Sequence, residues 1–216
     1  MDSMARRSQP REQVREKILA AARDLIVRDG YEAVSMRKIA GQIEYTAMAL
    51  YRHFADKETL VRELCLEDFR ALRHAMDRIA DDPDPIARLR RMGLAYVDFA
   101  QTYPHQYRLL FMTPLPREAH VETVVAEHPE VDCYAWLRDT VVEAVSAGRF
   151  RPGLVDADLI SQTFWAGLHG IVSLHIVMKR TPAIPWRPVS SAAVLVIDAL
   201  FDGMVVPAEP TLPRVD

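Results

Sequence analysis

The sequence predicts an all-α protein: a small three-helix head joined to a larger helical domain, with about nine to ten helices in all. Three observations lead there. Gly is scarce at 8 of 216 residues while half of the chain is hydrophobic, and β-branched residues do not cluster in alternating runs. Apolar residues recur instead at the three- and four-residue steps of amphipathic helices. Finally, residues 35–57 hold two short helices and a tight turn in a span that cannot bury a core alone.

Taken in order, residues 1–10 are polar and basic, end at Pro10 and read as a flexible arm. Val14, Ile18, Ala21, Ala22, Leu25 and Ile26 then mark a helix that stops at Asp29-Gly30. Ser35 caps a second helix on Met36, Ile39, Ala40 and Ile43, and Thr46 caps a third with Ala47, Leu50 and Phe54 facing inward. Asp56 starts a long fourth helix along Val61, Cys65, Phe69, Leu72, Met76 and Ile79. The break Asp81-Asp82-Pro83-Asp84-Pro85 has Pro poised to open the next helix. That helix runs to about Tyr103, and Pro104 opens another through about Phe111.

Residues 113–116 form a loop, and 117–128 are a weakly amphipathic, ambiguous helix. Val131 to Ala147 is a clear helix closed by Gly148. The last two helices cover about 156–180 and 189–205. They are apolar nearly all round, wider than the stripe of ~100° that a surface helix needs. A helix buried on two sides faces its own core and something else, here a second copy of the same pair. Phe164, Leu168, Ile171, Val196, Leu200 and Met204 are the expected homodimer contacts. Ala166, Gly167, Gly170 and Ser173 leave room for close helix approach. A large monomeric core is the alternative. Residues 207–216, with three prolines, read as a frayed tail.

The expected division is therefore a helical head at 11–56 and a larger dimerisation domain at 57–206. Charge follows it. Through residue 57 there are 11 basic and 8 acidic side chains, so the head is basic while the remainder of a chain of net charge −3 is acidic. That suits a DNA-binding head on a body that does not bind DNA. The outward Arg, Tyr, His and Lys of residues 35–57 are side chains that hold phosphates and read base edges, the pattern of a helix-turn-helix.

Other classes have little support. Cys65 and Cys133 lack C-x-x-C spacing and read as small core hydrophobes. The amino terminus lacks the apolar stretch of a signal peptide. The longest apolar run, from Phe164 to Met178, is interrupted by His169, Ser173 and His175 and falls short of the ~20 residues of a membrane span. A cytoplasmic location without membrane partners is expected. His120-Val-Glu122 mimics the H-x-E of zinc deaminases, but no P-C-x-x-C follows. H-E-x-x-H, G-x-S-x-G and a phosphate-cradling Gly loop are absent. No enzyme activity, metal or cofactor is expected.

From about Arg15 to Leu64 the chain resembles the TetR family of transcriptional regulators. The resemblance rests on Asp-Gly-Tyr at 29–31, Ser-Met-Arg-Lys-Ile-Ala at 35–40, Leu-Tyr-Arg-His-Phe at 50–54 and Lys-Glu-Thr-Leu at 57–60. Trp165-Ala-Gly-Leu-His169-Gly170 is similar to the Trp-His-Gly element of one carboxy-terminal subclass, and residues 103–111 to its companion segment. The resemblance implies a homodimer whose heads read palindromic double-stranded operator DNA about 34–36 Å apart. It also implies a small-molecule effector in the larger domain that usually releases DNA, with a tilt of the fourth helix as lever. Repression is the family's usual mode.

On this resemblance Arg37 is the expected base reader, through guanine O6 and N7, with a phosphate clamp or a surface ion pair as the alternative. Ser35 and Thr46 cap their helices and offer backbone N–H groups to phosphate. Tyr51, His53 and Lys57 match positions that hold the DNA backbone, Tyr51 having head packing as its alternative. Ala47, Met48 and Ala49 lead the recognition helix without hydrogen-bonding groups, so specificity is expected from Arg37, Arg52, thymine contacts and DNA shape. Glu44 departs from the family, whose turn usually carries Gly. A positive φ there would cost ~1 kcal/mol, and the carboxylate would repel phosphate. Tyr45 adds bulk beside it.

In the larger domain Met92, Tyr96, Phe99, Tyr103, Phe111, Met112, Trp136, Trp165 and His169 are candidate walls of an effector pocket, with plain core packing as the alternative for each. His169, polar within an apolar helix, needs a partner. A protein of the same fold that kept ligand binding but lost its operator is the competing functional reading.

Overall fold

The computed structural model describes residues 2–77, 79, 82–178 and 183–206, with side chains from residue 11 onward. The helices are α1 (Asp2–Asp29), α2 (Met36–Gln42), α3 (Ala47–Leu50), α4 (Lys57–Asp77), α5 (Pro85–Thr102), α6 (Pro104–Met112), α7 (Val121–Glu127), α8 (Cys133–Ser146), α9 (Ala157–Met178) and α10 (Val189–Met204). Among the described residues the one β-type pairing is an isolated antiparallel bridge between Phe150 and Val205. The chain is all-α, as its periodicity predicts.

Boundaries follow local chemistry. Gly30 ends α1 with φ 83°, a conformation that costs Gly little. Asp56 caps α4 by accepting from Thr59 N–H at 2.7 Å. Gly148 stops α8 with φ 65°.

Several boundaries differ from expectation. The residues 2–10, expected as a flexible arm, continue α1 backward; Met4, Ala5, Arg6, Arg7 and Gln9 are good helix formers that outweigh the Pro10 signal. The ambiguous segment 117–128 splits into a 3₁₀ turn at Arg117–Ala119 and α7. A second such turn, Pro129–Val131, delays the start of α8 to Cys133, because Pro129 fixes its own φ and lacks an N–H. The frayed tail at 207–216 and the expected end of the ninth helix at 180 lie outside the described residues.

The chain divides into two compact units, Met1–Ala75 with Phe99–Cys133, and Met76–Asp98 with Tyr134–Asp216. In the first, α1 packs on α2 and α6, and α2 on α3. Its core joins Ile18, Ala22 and Ile26 of α1 to Ile39, Leu50 and Phe54 of the short helices and to Leu60, Leu64 and Phe69 of α4. The short helices thus borrow a core from the long ones. Ion pairs hold α1 to α4: Arg15 bonds Glu63 at 2.7 Å and also Glu67, and Arg23 holds both oxygens of Asp68 at 2.6 and 2.9 Å.

In the second unit α9 packs on α10, and Phe164 stacks on Phe201 at 5.7 Å. A Cβ added to Gly93 of α5 would meet Phe164 Cζ at 2.8 Å and Leu168 Cδ1 at 2.9 Å, so only Gly allows this approach. Phe164 and Leu168 are 3% and 1% exposed within a single chain, which corrects their expected place in a dimer interface: they fill the protomer's own core. Gly167 serves the protomer likewise, since a Cβ there would press on Val196 and Leu200 of α10. No described helix is long and apolar enough to cross a membrane.

Candidate nucleic-acid interface

The loop from α1 to α2 is fixed from inside. Lys57 Nζ donates to the carbonyls of Tyr31 at 3.3 Å and Val34 at 3.2 Å, and stands 3.8 Å from the Tyr31 ring centroid. Lys57, expected on the DNA backbone, is therefore half-buried and engaged in shaping the head. Lys38 ties the same loop through Ala33 O at 2.6 Å.

Both short helices carry the expected caps. Ser35 Oγ accepts from Lys38 N–H at 3.3 Å and Thr46 Oγ1 from Ala49 N–H at 3.2 Å. Between them the chain turns through Glu44 at φ 59°, the one described non-Gly residue with positive φ. Tyr45 N–H bonds Ala40 O at 2.9 Å and Glu44 N–H bonds Gly41 O at 3.4 Å. This pair is a Schellman closure of α2 with Glu at the position that normally takes Gly. The fold imposes the left-handed geometry anyway, at a cost of about 1–2 kcal/mol.

Beyond the turn, α3 points Leu50 inward and leaves Met48 72% exposed. Tyr45 and Tyr51 are also exposed, as are Arg37, Arg52, Ser35 and Thr46; Ala47 and Ala49 are half-buried. The half-buried His53 imidazole lies below its ordinary value because burial, then Arg11 and Arg15, disfavour its charged form. It is neutral at pH 7. Arg37, Arg52, Tyr51 and His53 thus sit on the exposed side of a head whose inner side is fully packed.

Behind the head, α4, α6 and the segment into α7 flank a half-open cavity of about 290 Å³, lined by Cys65, Phe69, Phe111 and Leu115 and also by Thr113 and His120. Burial pushes the Cys65 thiol up to about 12, so it is an inert apolar wall. Next to these residues, Asp68 is 1% exposed, and burial lifts its carboxyl above the ordinary carboxylate range against the pull of Arg23.

Of the residues expected to line one effector pocket, Phe111 and Met112 belong to this cavity. Phe99 is buried and its ring is 5.5 Å from that of the exposed Tyr103. Met92, Tyr96, Trp136, Trp165 and His169 belong to the other unit. There the Tyr96 hydroxyl accepts from Trp165 Nε1 at 3.1 Å and meets His169 Nδ1 at 3.3 Å, so His169 has a protein partner. Burial keeps that imidazole below its ordinary value. Met92 is buried and Trp136 half-buried. Sequence reasoning missed the cavity and the α1–α4 ion pairs. The latter had a signal: Glu63 and Glu67 stand one turn apart on α4, with Asp68 beside them.

Residues 18–64 match the family described as bacterial regulatory proteins, tetR family, and residues 89–199 match the tetracyclin repressor-like carboxy-terminal domain. The chain belongs to the TetR family of transcriptional regulators, proteins with a helix-turn-helix DNA-binding domain, and is not an enzyme. Among its relatives, the HTH-type transcriptional activator FasR of Mycolicibacterium smegmatis is 28% identical over 189 residues, covering 84% of this chain and 85% of that protein. A Rhodococcus protein described as of unknown function superimposes with a TM-score of 0.67 at 25% identity, covering 89% of this chain and 95% of its own. A TetR family regulator from Marinobacter aquaeolei reaches a TM-score of 0.73 at 18% identity, covering 92% and 98%, a likeness of fold.

Proposed function

We propose that this regulator acts in the cytoplasm as a homodimeric repressor that binds palindromic double-stranded operator DNA and is released by a small, largely apolar effector. The observation that carries the reading is the exposed side of the head. Two capped short helices present Arg37, Arg52, Tyr51 and His53 outward, and the described structure gives neither arginine an ion pair. Arg37 reads a guanine edge, while Tyr51, His53 and the capped helix starts hold phosphates. Lys57 contributes by fixing the loop before α2.

Dimerisation through α9 and α10 is supported by the apolar surface the protomer leaves open. Leu159, Leu174, Val177 and Leu195 are all more than half exposed, and Ala166, Gly170, Ala199 and Gly203 on the same helices would let a partner come close. Ile171, Val196, Leu200 and Met204 are half-buried at its margins. The cavity beside α4 is the candidate place for the effector, small at about 290 Å³ and lined by Phe69, Phe111 and Leu115 together with the polar Thr113 and His120. An occupant there would bear on the helix that the ion pairs join to α1.

The test is a mobility shift of the full chain on a palindromic fragment selected from random sequence, across a salt series. Sequence-selective binding whose logarithm falls linearly with the logarithm of salt is expected. Binding indifferent to salt and sequence would overturn the reading in favour of a ligand-binding protein of the same fold.

A further inference from the structure

We propose that Glu44, Tyr45 and Met48 together read the major-groove edge of a pyrimidine-rich strand, with Glu44 accepting a hydrogen bond from the 4-amino group of a cytosine. This deepens, and rests on, the operator-binding reading above.

Three observations converge on it. First, Glu44 occupies a left-handed position that Gly fills without strain, so the side chain is held there against the preference of the backbone. An outlier of this kind at a binding surface points to use of the side chain. Second, among the described residues no cation or donor pairs with the Glu44 carboxylate, and the residue is exposed. An unpaired anion beside the recognition helix repels every phosphate it approaches, so it favours DNA only through a base. Third, the neighbouring surface is apolar: Met48 is the most exposed large hydrophobic residue of the head, Tyr45 is open beside it, and Ala47 and Ala49 bring no hydrogen-bonding group.

The chemistry of the groove turns these into a choice of base. A carboxylate only accepts, so it pairs with an exocyclic amino group. Adenine N6 lies next to the N7 acceptor, which repels a second acceptor. Cytosine N4 lies next to an apolar C5–H, which does not. Apolar side chains make the same choice, because a purine beneath Met48 would bury N7 unpaired. A thymine presents its methyl and a cytosine its C5–H. Carboxylate and thioether thus select pyrimidines on one strand, in contrast to Arg37, which reads guanine.

The experiment uses the full chain in three forms, wild type, E44G and E44Q, each selecting from a randomised palindromic library. Wild type should recover half-sites with a run of C and T on one strand. E44G, which places in the turn the residue it prefers, should lose the cytosine preference at one position and bind random DNA more tightly. E44Q should admit adenine there, since a carboxamide pairs with N6 and N7. In the selected operator, deoxyuridine in place of thymine should weaken wild-type binding about fourfold for each methyl lost, and M48A should erase that difference. Unchanged base preferences in E44G, or equal affinity for the uridine operator, would overturn this inference while leaving operator binding standing. Absence of any selective binding would overturn the regulator reading as well.

Discussion

At the scale of the residue, Glu44 joins a sequence anomaly to a backbone angle. The sequence marks it as a departure from a glycine position, and the structure places it at φ 59°. Replacing it with Gly should raise stability by about 1 kcal/mol, read as a higher Tm. A Tm that stays level or falls would mean that the Glu side chain makes a compensating contact. His53 offers a second test. Its imidazole is neutral in the free protein at pH 7 because burial and the nearby arginines lower it. A phosphate beside it would favour the charged form, so binding would take up a proton. Operator affinity should rise as pH falls from 7.5 towards 6, and His53→Gln should flatten that slope. Equal slopes in the two proteins would remove His53 from the phosphate contacts.

At the scale of the element, Gly93 shows how closely the second unit's helices approach. Ala would gain about 1 kcal/mol of helix propensity but force its methyl against Phe164 and Leu168, an overpacking worth about 1–3 kcal/mol. The net expectation for Gly93→Ala is destabilisation by about 1 kcal/mol in denaturant unfolding; a more stable variant would mean that Phe164 swings aside freely. The same helices mark what a sequence reveals. Helix spans were legible because stripes such as Val61, Cys65, Phe69 and Leu72 and caps such as Ser35 and Thr46 are local signals. Which apolar face turns inward was not. Phe164 and Leu174 are equally apolar in sequence, yet one is core and the other is 56% exposed, because the choice depends on where α5 and α10 pack. For the same reason the pocket residues were named by type and then divided between two units.

At the scale of the whole molecule, assembly is the open variable. Leu195, 69% exposed on α10, should tolerate Arg in a folded monomer. Leu195→Arg should sediment as a monomer with unchanged helical content, and its affinity for a palindrome should fall towards that for a single half-site. A variant that remains dimeric would move the interface elsewhere. The cavity by α4 escaped sequence reasoning because its walls come from α4, α6 and the segment after α6, whose juxtaposition is tertiary. In the head, by contrast, the caps Ser35 and Thr46 and the anomaly at Glu44 were legible as local signals, whereas the inward hydrogen bonds of Lys57 depend on the loop before α2.

The α1–α4 ion pairs limit how such a protein can be recombined. Arg15 and Arg23 find their carboxylates on α4, past the boundary at residue 57 where a DNA-reading cassette would naturally be cut. A chimera spliced there would inherit two arginines matched to another protein's helix, one of them facing a nearly buried aspartate. Transplanting the specificity of this protein therefore calls for a graft that carries the acidic face of α4 along with the head, so the unit of exchange is larger than the unit of recognition.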